Sequence, residues 1–175
     1  MTVAAGGTVV RPPLTRPDRG RYSIVTDPTG ALLVLVVSST GDPPDVEAAI
    51  GRWLWTELWT DDTDAAVAYY QDLAGFTTEA VDGGVGQDYF VLEAQGQRRA
   101  GVTSIPWDWV SSNWLPYLRV SELQSYVTRV EGLGGRVLFA PQEDVRQGST
   151  AIILDPTGAA FALQLWPIPE AWRSR

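Results

Sequence analysis

The stretch WTELWTDDTDAAVAYYQDLAGF, residues 55–76, decides the fold class of this chain. It begins with the alternation typical of a half-buried strand and continues through acidic residues into a helical pattern that ends at Gly75. A similar strand pattern, NWLPYLRV at 113–120, leads into a second helical pattern over 123–133. Because short strand candidates follow each helix, the sequence predicts two βαβββ modules and an α+β fold over 52–168.

The pentapeptide DPTGA occurs twice, at 27–31 and at 155–159, an offset of 128 residues. About a dozen identities fall at this offset, so residues 6–37 read as a second copy of 134–165. We therefore expect residues 1–45 to hold a linker and a β-hairpin, the remnant of a preceding βαβββ module. An isolated hairpin is only marginally stable, so its apolar face needs a partner in this chain or in a second subunit.

The composition removes several classes of function. The 175 residues include no cysteine and no histidine, which excludes thiolate nucleophiles, histidine triads and metal sites built on either residue. The formal net charge is −8 and the 13 basic residues form no cluster. We therefore expect no nucleic-acid partner and a ligand that is neutral or cationic. Eight tryptophans supply rigid apolar faces for a core or for a ligand groove.

The chain shows no pattern of a secretory signal. Its longest apolar run, at 31–37, is much shorter than the roughly 20 residues of a membrane-spanning helix. We therefore expect a soluble cytoplasmic protein with no membrane partner.

Three stretches together resemble the vicinal oxygen chelate superfamily, which contains glyoxalases, extradiol dioxygenases and bleomycin-resistance proteins. They are residues 55–76, residues 113–120 with the helix that ends at Gly134-Gly135, and DPTGAAFAL at 155–163. The resemblance is greatest to glyoxalase-like proteins of actinobacteria that carry two such domains in tandem.

The resemblance implies one domain of two modules, 52–106 and 113–168, whose mixed sheet curls around a ligand cleft. Residues 1–45 would then be the end of a truncated first domain, and a homodimer is the expected assembly.

Metal binding in this superfamily uses the first strand of each module and the last strand of the second. The matching positions here are Trp55, Leu115 and Ala162, none of which offers a donor atom. Nearby, Glu57 and Gln164 supply only one carboxylate and one amide, a poor set for a transition metal. We therefore expect no metal and no other cofactor, and a Gln164 that bonds to backbone within the sheet.

Alternation along the first strand of the domain separates Leu54 and Leu58, under the helices, from an opposite face. With the second module added at an offset of 60 residues, that opposite face carries Trp53, Trp55, Glu57, Trp59, Tyr117 and Arg119. Two interpretations stay open. The face lines an aromatic ligand cleft with one acid and one base, or it is a core in which Glu57 pairs with Arg119.

Glu57 is the candidate catalytic residue, because desolvation among tryptophans suits a carboxyl group to acid or base catalysis near neutral pH. The segment 106–113 joins the modules and carries Trp107 and Trp109. It is either a lid that contacts the ligand or a linker that buries both tryptophans. The acidic residues at 61–64 are interpreted as a helix cap, since they lack the glycine and terminal glutamate of a calcium loop.

Two functions follow from these observations. One is a metal-free protein of the bleomycin-resistance type that sequesters an aromatic or cationic small molecule, with Trp55, Trp59, Tyr117, Arg119, Trp107 and Trp109 as ligand-binding residues. The alternative is a metal-independent enzyme of secondary metabolism, an isomerase, cyclase or hydrolase, with Glu57 as general acid or base. A structural role without a ligand is the third possibility.

Overall fold

The computed structural model describes residues 2–81 and 88–167 and confirms the α+β class. In chain order the elements are β1 (Thr8–Arg16), β2 (Gly20–Thr26), β3 (Leu32–Val37), β4 (Trp53–Thr60), α1 (Thr63–Ala74), β5 (Thr77–Ala80), β6 (Tyr89–Ala94), β7 (Gln97–Ser104), β8 (Asn113–Val120), α2 (Leu123–Val130), β9 (Arg136–Phe139), β10 (Thr150–Leu154) and β11 (Ala160–Leu165). Short 3₁₀ helices lie at Glu131–Leu133 and Arg146–Gly148.

Eight strands form one hydrogen-bonded sheet in the order β5-β6-β7-β4-β8-β11-β10-β9. β11 runs parallel to β8, with Ala162 opposite Tyr117 and Gln164 opposite Arg119. The pairs β5–β6, β6–β7, β9–β10 and β10–β11 are antiparallel. The sheet is therefore mixed, and its two strand–helix–strand–strand–strand runs are those that the sequence predicted.

The amino-terminal segment forms a separate sheet of three strands in the order β1-β2-β3. β2 and β3 are antiparallel, with Thr26 opposite Leu32, and the predicted Asp27-Pro28-Thr29-Gly30 turn joins them. The predicted hairpin is thus confirmed, and β1 adds a third antiparallel strand along β2.

Helix α1 has the ends that its sequence predicts. The Asp62 side chain accepts a hydrogen bond from the Ala65 backbone N–H at 2.9 Å, so the acidic residues before the helix do cap it. At the other end, Gly75 has a φ of 70° and its N–H donates to the Gln71 carbonyl at 2.8 Å. Glycine takes this left-handed conformation without a steric penalty, which explains where the helix stops.

The described residues divide into two compact units. The first contains residues 2–46, 58–81 and 88–114, and the second contains residues 47–57 and 115–167.

The core of the first unit joins helix α1 to strands of both sheets. Leu58, Tyr70 and Leu92 are buried in it, together with Ala31, and Leu33 packs against it from β3. The apolar face of the amino-terminal sheet that bears Leu33 therefore has a partner within this chain. Leu58 lies on the helix side of β4, as the alternation of the strand predicted.

The core of the second unit lies between helix α2 and the strands β8, β10 and β11. Val120, Leu123, Val130, Ile153 and Leu163 are buried there.

Candidate functional site

Glu57 is the centre of a buried polar cluster in the second unit. Its side chain is 0% exposed. The carboxylate atom Oε2 accepts a hydrogen bond of 2.5 Å from the hydroxyl of Tyr117, and Oε1 lies 2.5 Å from Nη2 of Arg146. Tyr117 is also buried. The prediction that Glu57 and Tyr117 share one face of adjacent strands is therefore confirmed.

Arg146 is the residue of this cluster that the sequence analysis missed. Its guanidinium carbon lies 5.3 Å from the ring centroid of Tyr117, so the cation contacts both the Tyr117 ring and the Glu57 carboxylate. The only local signal was Gly148, which follows Arg146 and Gln147 in the connection from β9 to β10. Nothing in that pattern indicates that Arg146 reaches Glu57, 89 residues earlier in the chain.

The backbone that carries Arg146 is strained. Arg146, Gln147 and Gly148 have φ values of 48°, 56° and 67°, three consecutive residues in the left-handed region. For the two residues that are not glycine, each such conformation costs about 1–3 kcal/mol and persists only where surrounding contacts fix it. Two such contacts fix the backbone here. The Arg146 side chain pairs with Glu57, and the Ser149 hydroxyl donates a hydrogen bond to the Arg146 carbonyl at 2.6 Å.

Gln164 lies in a second polar network of the same unit. Its Oε1 accepts a hydrogen bond from the Thr150 hydroxyl at 2.5 Å, and its Nε2 donates to Oγ of Ser149 and to the Leu165 carbonyl, each at 3.0 Å. Gln164 thus forms the expected hydrogen bond to backbone, at the Leu165 carbonyl. Its side-chain amide also bonds the hydroxyl groups of Thr150 and Ser149.

Arg119 does not pair with Glu57, so the ion pair in the core interpretation is wrong. The Arg119 guanidinium instead forms an ion pair with Glu47 at 2.8 Å and donates to the carbonyl oxygens of Trp166, at 2.9 Å, and Ala48. Residues two apart in a strand share a face but lie about 6.6 Å apart along it. Arg119 lies two residues beyond Tyr117 in β8, and its long side chain contacts acceptors that are correspondingly further from Glu57. The cation that pairs with Glu57 is Arg146 instead.

Three of the predicted ligand-binding tryptophans stack on one another in the first unit. The ring centroids of Trp59 and Trp107 are 5.5 Å apart with an interplanar angle of 45°. Those of Trp107 and Trp109 are also 5.5 Å apart, and their planes differ by only 17°. Trp59 is buried at one end of this stack, whereas Trp109 is 67% exposed at the other.

The exposure of Trp109 corrects one alternative for the segment 106–113. A linker that buries both tryptophans is wrong, because only the inner end of the stack is covered. The Val110 N–H donates to the Trp107 carbonyl at 3.1 Å, a tight turn that brings the rings of Trp107 and Trp109 face to face.

The remaining tryptophans of β4 lie in the second unit. Trp55 is half-buried, and Trp53 is 60% exposed with its ring edge to face against Phe161 at 6.0 Å. Burial increases along β4. Trp53 is exposed at its start, and the four residues from Glu57 to Thr60 are all buried.

The donors present do not fit the divalent metal of the superfamily. Trp55, Leu115 and Ala162 have no suitable donor, the Glu57 carboxylate already contacts the cationic Arg146, and Oε1 of Gln164 accepts from Thr150. Within residues 2–81 and 88–167, no cluster of three or more acidic, histidine or cysteine side chains could hold a metal ion.

Comparisons with known proteins agree with this fold. Residues 55–164 match the family described as the glyoxalase-like domain. The chain belongs to that family and, through it, to the vicinal oxygen chelate superfamily.

Two groups of curated relatives are informative. The Mycobacterium tuberculosis protein CFP32, named as a glyoxylase, is 32% identical over 168 residues, which are 96% of this chain and 64% of that protein. The anthracycline biosynthesis protein DauV of Streptomyces sp. strain C5 is 29% identical over 163 residues, 91% of this chain and 58% of its own length. The chain thus spans less than two thirds of the relatives that it matches.

Solved structures share the fold at low sequence identity. The Mn(II)-bound glyoxalase from Novosphingobium aromaticivorans superposes with a TM-score of 0.58 at 18% identity, over 94% of this chain and 56% of that one. The 2,3-dioxygenase LapB from Pseudomonas sp. KL28 gives a TM-score of 0.55 at 15% identity, over 97% of this chain and 67% of that one.

No helix in the described residues has the length and apolar character required to cross a bilayer.

Proposed function

We propose that this glyoxalase-like protein binds a planar aromatic small molecule without a metal ion, and that the Trp107–Trp109 stack receives its ring system. The single observation that carries the proposal is this stack, buried at its Trp59 end and 67% exposed at Trp109. A large aromatic ring that is held in place by a parallel neighbour and still faces solvent is preorganised to stack on a third ring.

The relatives support an aromatic ligand. DauV, and DnrV of Streptomyces peucetius, are named as anthracycline biosynthesis proteins. We therefore propose a ligand of the anthracycline type, a fused planar ring system, sequestered in the cytoplasm. The net charge of −8 favours a ligand with a cationic substituent, because the field of the whole chain attracts it.

Glu57 is poorly placed to bind that substituent directly. Its two carboxylate oxygens are engaged by Tyr117 and by Arg146, and the side chain is fully buried. A ligand cation at Glu57 would have to displace a tethered guanidinium that also lies over the Tyr117 ring.

The second candidate function is a metal-independent enzyme that uses Glu57 as acid or base. The observation in its favour is the short hydrogen bond from the Tyr117 hydroxyl to the carboxylate, since a phenol and a carboxyl group in contact can pass a proton between them. This candidate requires Arg146 to move before a substrate reaches Glu57.

The test is a calorimetric titration of the full chain with an anthracycline, with tryptophan fluorescence as a second readout. We expect binding, quenching and an affinity that neither Mn(II) nor a chelator changes. Trp109→Ala should weaken binding about 2- to 12-fold, because an aromatic pair contributes about 0.5–1.5 kcal/mol beyond burial.

The matched control is Trp53→Ala, which removes another exposed tryptophan, from the second unit. It should leave the affinity unchanged. Equal losses in both variants, or the absence of binding to the native chain, would refute the proposal. Turnover of the anthracycline that stops in Glu57→Gln while binding persists would favour the enzyme instead.

A further inference from the structure

Thr103 on β7 carries a buried hydroxyl that has no hydrogen-bond partner. The residue is 0% exposed, and within residues 2–81 and 88–167 its Oγ1 forms no hydrogen bond. An unpaired buried hydroxyl destabilises a fold, and native proteins contain few of them. Groups that reduce stability in this way are characteristic of functional sites, where a ligand supplies the missing partner.

The Thr103 side chain lies on the face of the sheet opposite to helix α1. Its neighbour Val102 is buried in the core of the first unit together with Leu58. Successive residues of a strand point to opposite faces, so Thr103 points away from that core. Trp59 follows Leu58 in β4 and points away from the core for the same reason. The hydroxyl and the indole therefore share one face of the sheet.

Two aromatic residues flank Thr103 on this face. Tyr89 on β6 is its antiparallel partner, so the two side chains lie side by side. On the other side β7 is the neighbour of β4, and the Ile105 N–H donates to the Thr60 carbonyl at 3.0 Å. Because this bond joins the carboxyl-terminal ends of the two strands, they run parallel, and its register places Thr103 beside Trp59.

The next residue of β7 on the same face is a glycine. Gly101 is buried within the strand, opposite Val91, and leaves this face without a side chain at that position. Glycine in a strand interior often marks a place that a ligand or another backbone approaches closely. We call the group of Tyr89, Gly101, Thr103 and Trp59 the inner slot.

The Trp107 ring lies over the inner slot at its Trp59 end. The planes of Trp59 and Trp107 meet at 45°, which is neither of the two orientations that aromatic pairs prefer, whereas Trp107 and Trp109 differ by only 17°. Pro106 and Asp108, on either side of Trp107, are exposed. A planar ring between Trp59 and Trp107 could stack on both of them while Trp107 keeps its contact with Trp109.

We propose that Thr103 is the residue that selects the ligand of this site by its oxygen atoms. Its hydroxyl forms a hydrogen bond with a phenolic hydroxyl or a quinone carbonyl of an aromatic ligand that lies between Trp59 and Trp107. A threonine hydroxyl both donates and accepts, so it suits either oxygen. This inference rests on the proposed function and adds the class of ligand, which is a planar ring system with oxygen substituents.

The test compares two fused-ring probes by calorimetric titration of the full chain. A dihydroxyanthraquinone has ring oxygens, and an aminoacridine is planar without them. Thr103→Val keeps the branched shape of the side chain and removes the hydroxyl. It should weaken binding of the anthraquinone about 2- to 12-fold, the contribution of one neutral hydrogen bond, and change that of the aminoacridine by less than about twofold. The free variant should melt at least about 2 °C above the native chain, because it lacks the unpaired hydroxyl.

The matched control is Thr60→Val. Thr60 is also fully buried, but its hydroxyl accepts hydrogen bonds from the Asp62 N–H at 3.2 Å and from the Ser112 hydroxyl at 3.3 Å. This variant should melt at a lower temperature than the native chain and keep the same ratio of the two affinities.

Three results would overturn the role of Thr103 and leave the proposed function standing. They are equal losses for both probes in Thr103→Val, an unchanged affinity for the anthraquinone, and a melting temperature of the free variant that does not rise. A native chain that binds neither probe would overturn both proposals.

Discussion

The two DPTGA turns of this chain form a natural pair for measuring one buried hydrogen bond. In the first turn Oδ1 of Asp27 accepts from the Thr29 N–H, the Thr29 hydroxyl and the Ala31 N–H, at 2.8–3.0 Å. In the second turn Oδ1 of Asp155 accepts from the same three groups of Thr157 and Ala159, at 2.7–3.0 Å. The local contacts of the two carboxylates are thus the same.

The turns differ in what the second carboxylate oxygen contacts. Oδ2 of Asp27 accepts a hydrogen bond of 3.0 Å from the hydroxyl of Tyr70 on α1, and Asp27 is 2% exposed. The hydroxyl of Tyr70 in turn accepts from Nε1 of Trp114 at 3.2 Å. Asp155 is partly exposed, and its pKa lies below the usual value because the Thr157 hydroxyl and the backbone N–H groups of the turn bond the carboxylate. Asp27 therefore anchors the amino-terminal sheet to the helix, in addition to closing its turn.

We predict that Asp27→Ala lowers the free energy of unfolding by more than Asp155→Ala. Both variants lose the turn contacts, so the difference isolates the bond to Tyr70. A hydrogen bond to a charged group contributes about 1.5–3 kcal/mol, and a buried hydroxyl left without an acceptor keeps the loss in that range. For a chain of this size that difference corresponds to about 3–12 °C in melting temperature.

The assay is urea denaturation of both variants, followed by circular dichroism, together with calorimetric melting. The matched background is Tyr70→Phe, which removes the hydroxyl and keeps the ring. In that background the difference between Asp27→Ala and Asp155→Ala should fall close to zero. Equal losses in the native background, or a difference that persists in Tyr70→Phe, would refute the anchoring role of Asp27.

Three further predictions concern single residues. Burial, and then the charge of Asp27, raise the pKa of Tyr70 above its ordinary value of 10.0. The contribution of the neutral phenol to the stability of the fold is therefore complete below pH 10. It is lost as the pH rises above 10, because the phenol then ionises in the unfolded chain before it does so in the folded one. Alkaline melting curves should therefore fall less steeply for Tyr70→Phe than for the native chain. Glu57→Gln should lower the free energy of unfolding by about 3–5 kcal/mol, because it removes one partner of a buried ion pair. The double variant with Arg146→Met should recover most of that loss in urea denaturation. Gln147→Gly should raise the melting temperature by about 2–4 °C, because glycine removes about 1 kcal/mol of strain at a left-handed φ of 56°. An unchanged or lower melting temperature would show that the Gln147 side chain stabilises the loop.

Local signals predicted most of the fold. The alternation in β4, the Asp62 cap and the stop at Gly75 each depend on residues within one or two turns of the chain, and all three were correct. The contact between Glu57 and Tyr117 was also predictable, because the internal offset of 60 residues aligned two adjacent strands. Periodicity and repeats give this kind of information about neighbours in a sheet.

The cationic partner of Glu57 could not be predicted in the same way. One of the two interpretations paired Glu57 with Arg119, because Arg119 shares a strand face with Tyr117, yet the Arg119 side chain forms its ion pair with Glu47. The observed partner, Arg146, comes from a connection whose path depends on two non-glycine residues in left-handed conformations. Propensity disfavours that path, and only tertiary contacts such as the ion pair with Glu57 select it.

The ion pair between Glu57 and Arg146 also changes where ligand recognition is to be sought. The sequence left open whether Glu57 lines a ligand cleft or pairs with Arg119 in a core. In the structure the guanidinium compensates that charge within the second unit, and the hydroxyl of Tyr117 binds the other oxygen. The first-unit stack of Trp59, Trp107 and Trp109 instead presents a largely exposed ring at one end, where Trp109 is 67% exposed. Attraction of a cationic substituent then depends on the net charge of the chain, a long-range effect that salt screens over about 8–10 Å. Affinity for a cationic aromatic ligand should accordingly decrease with ionic strength while the loss caused by Trp109→Ala stays constant, because stacking is not screened.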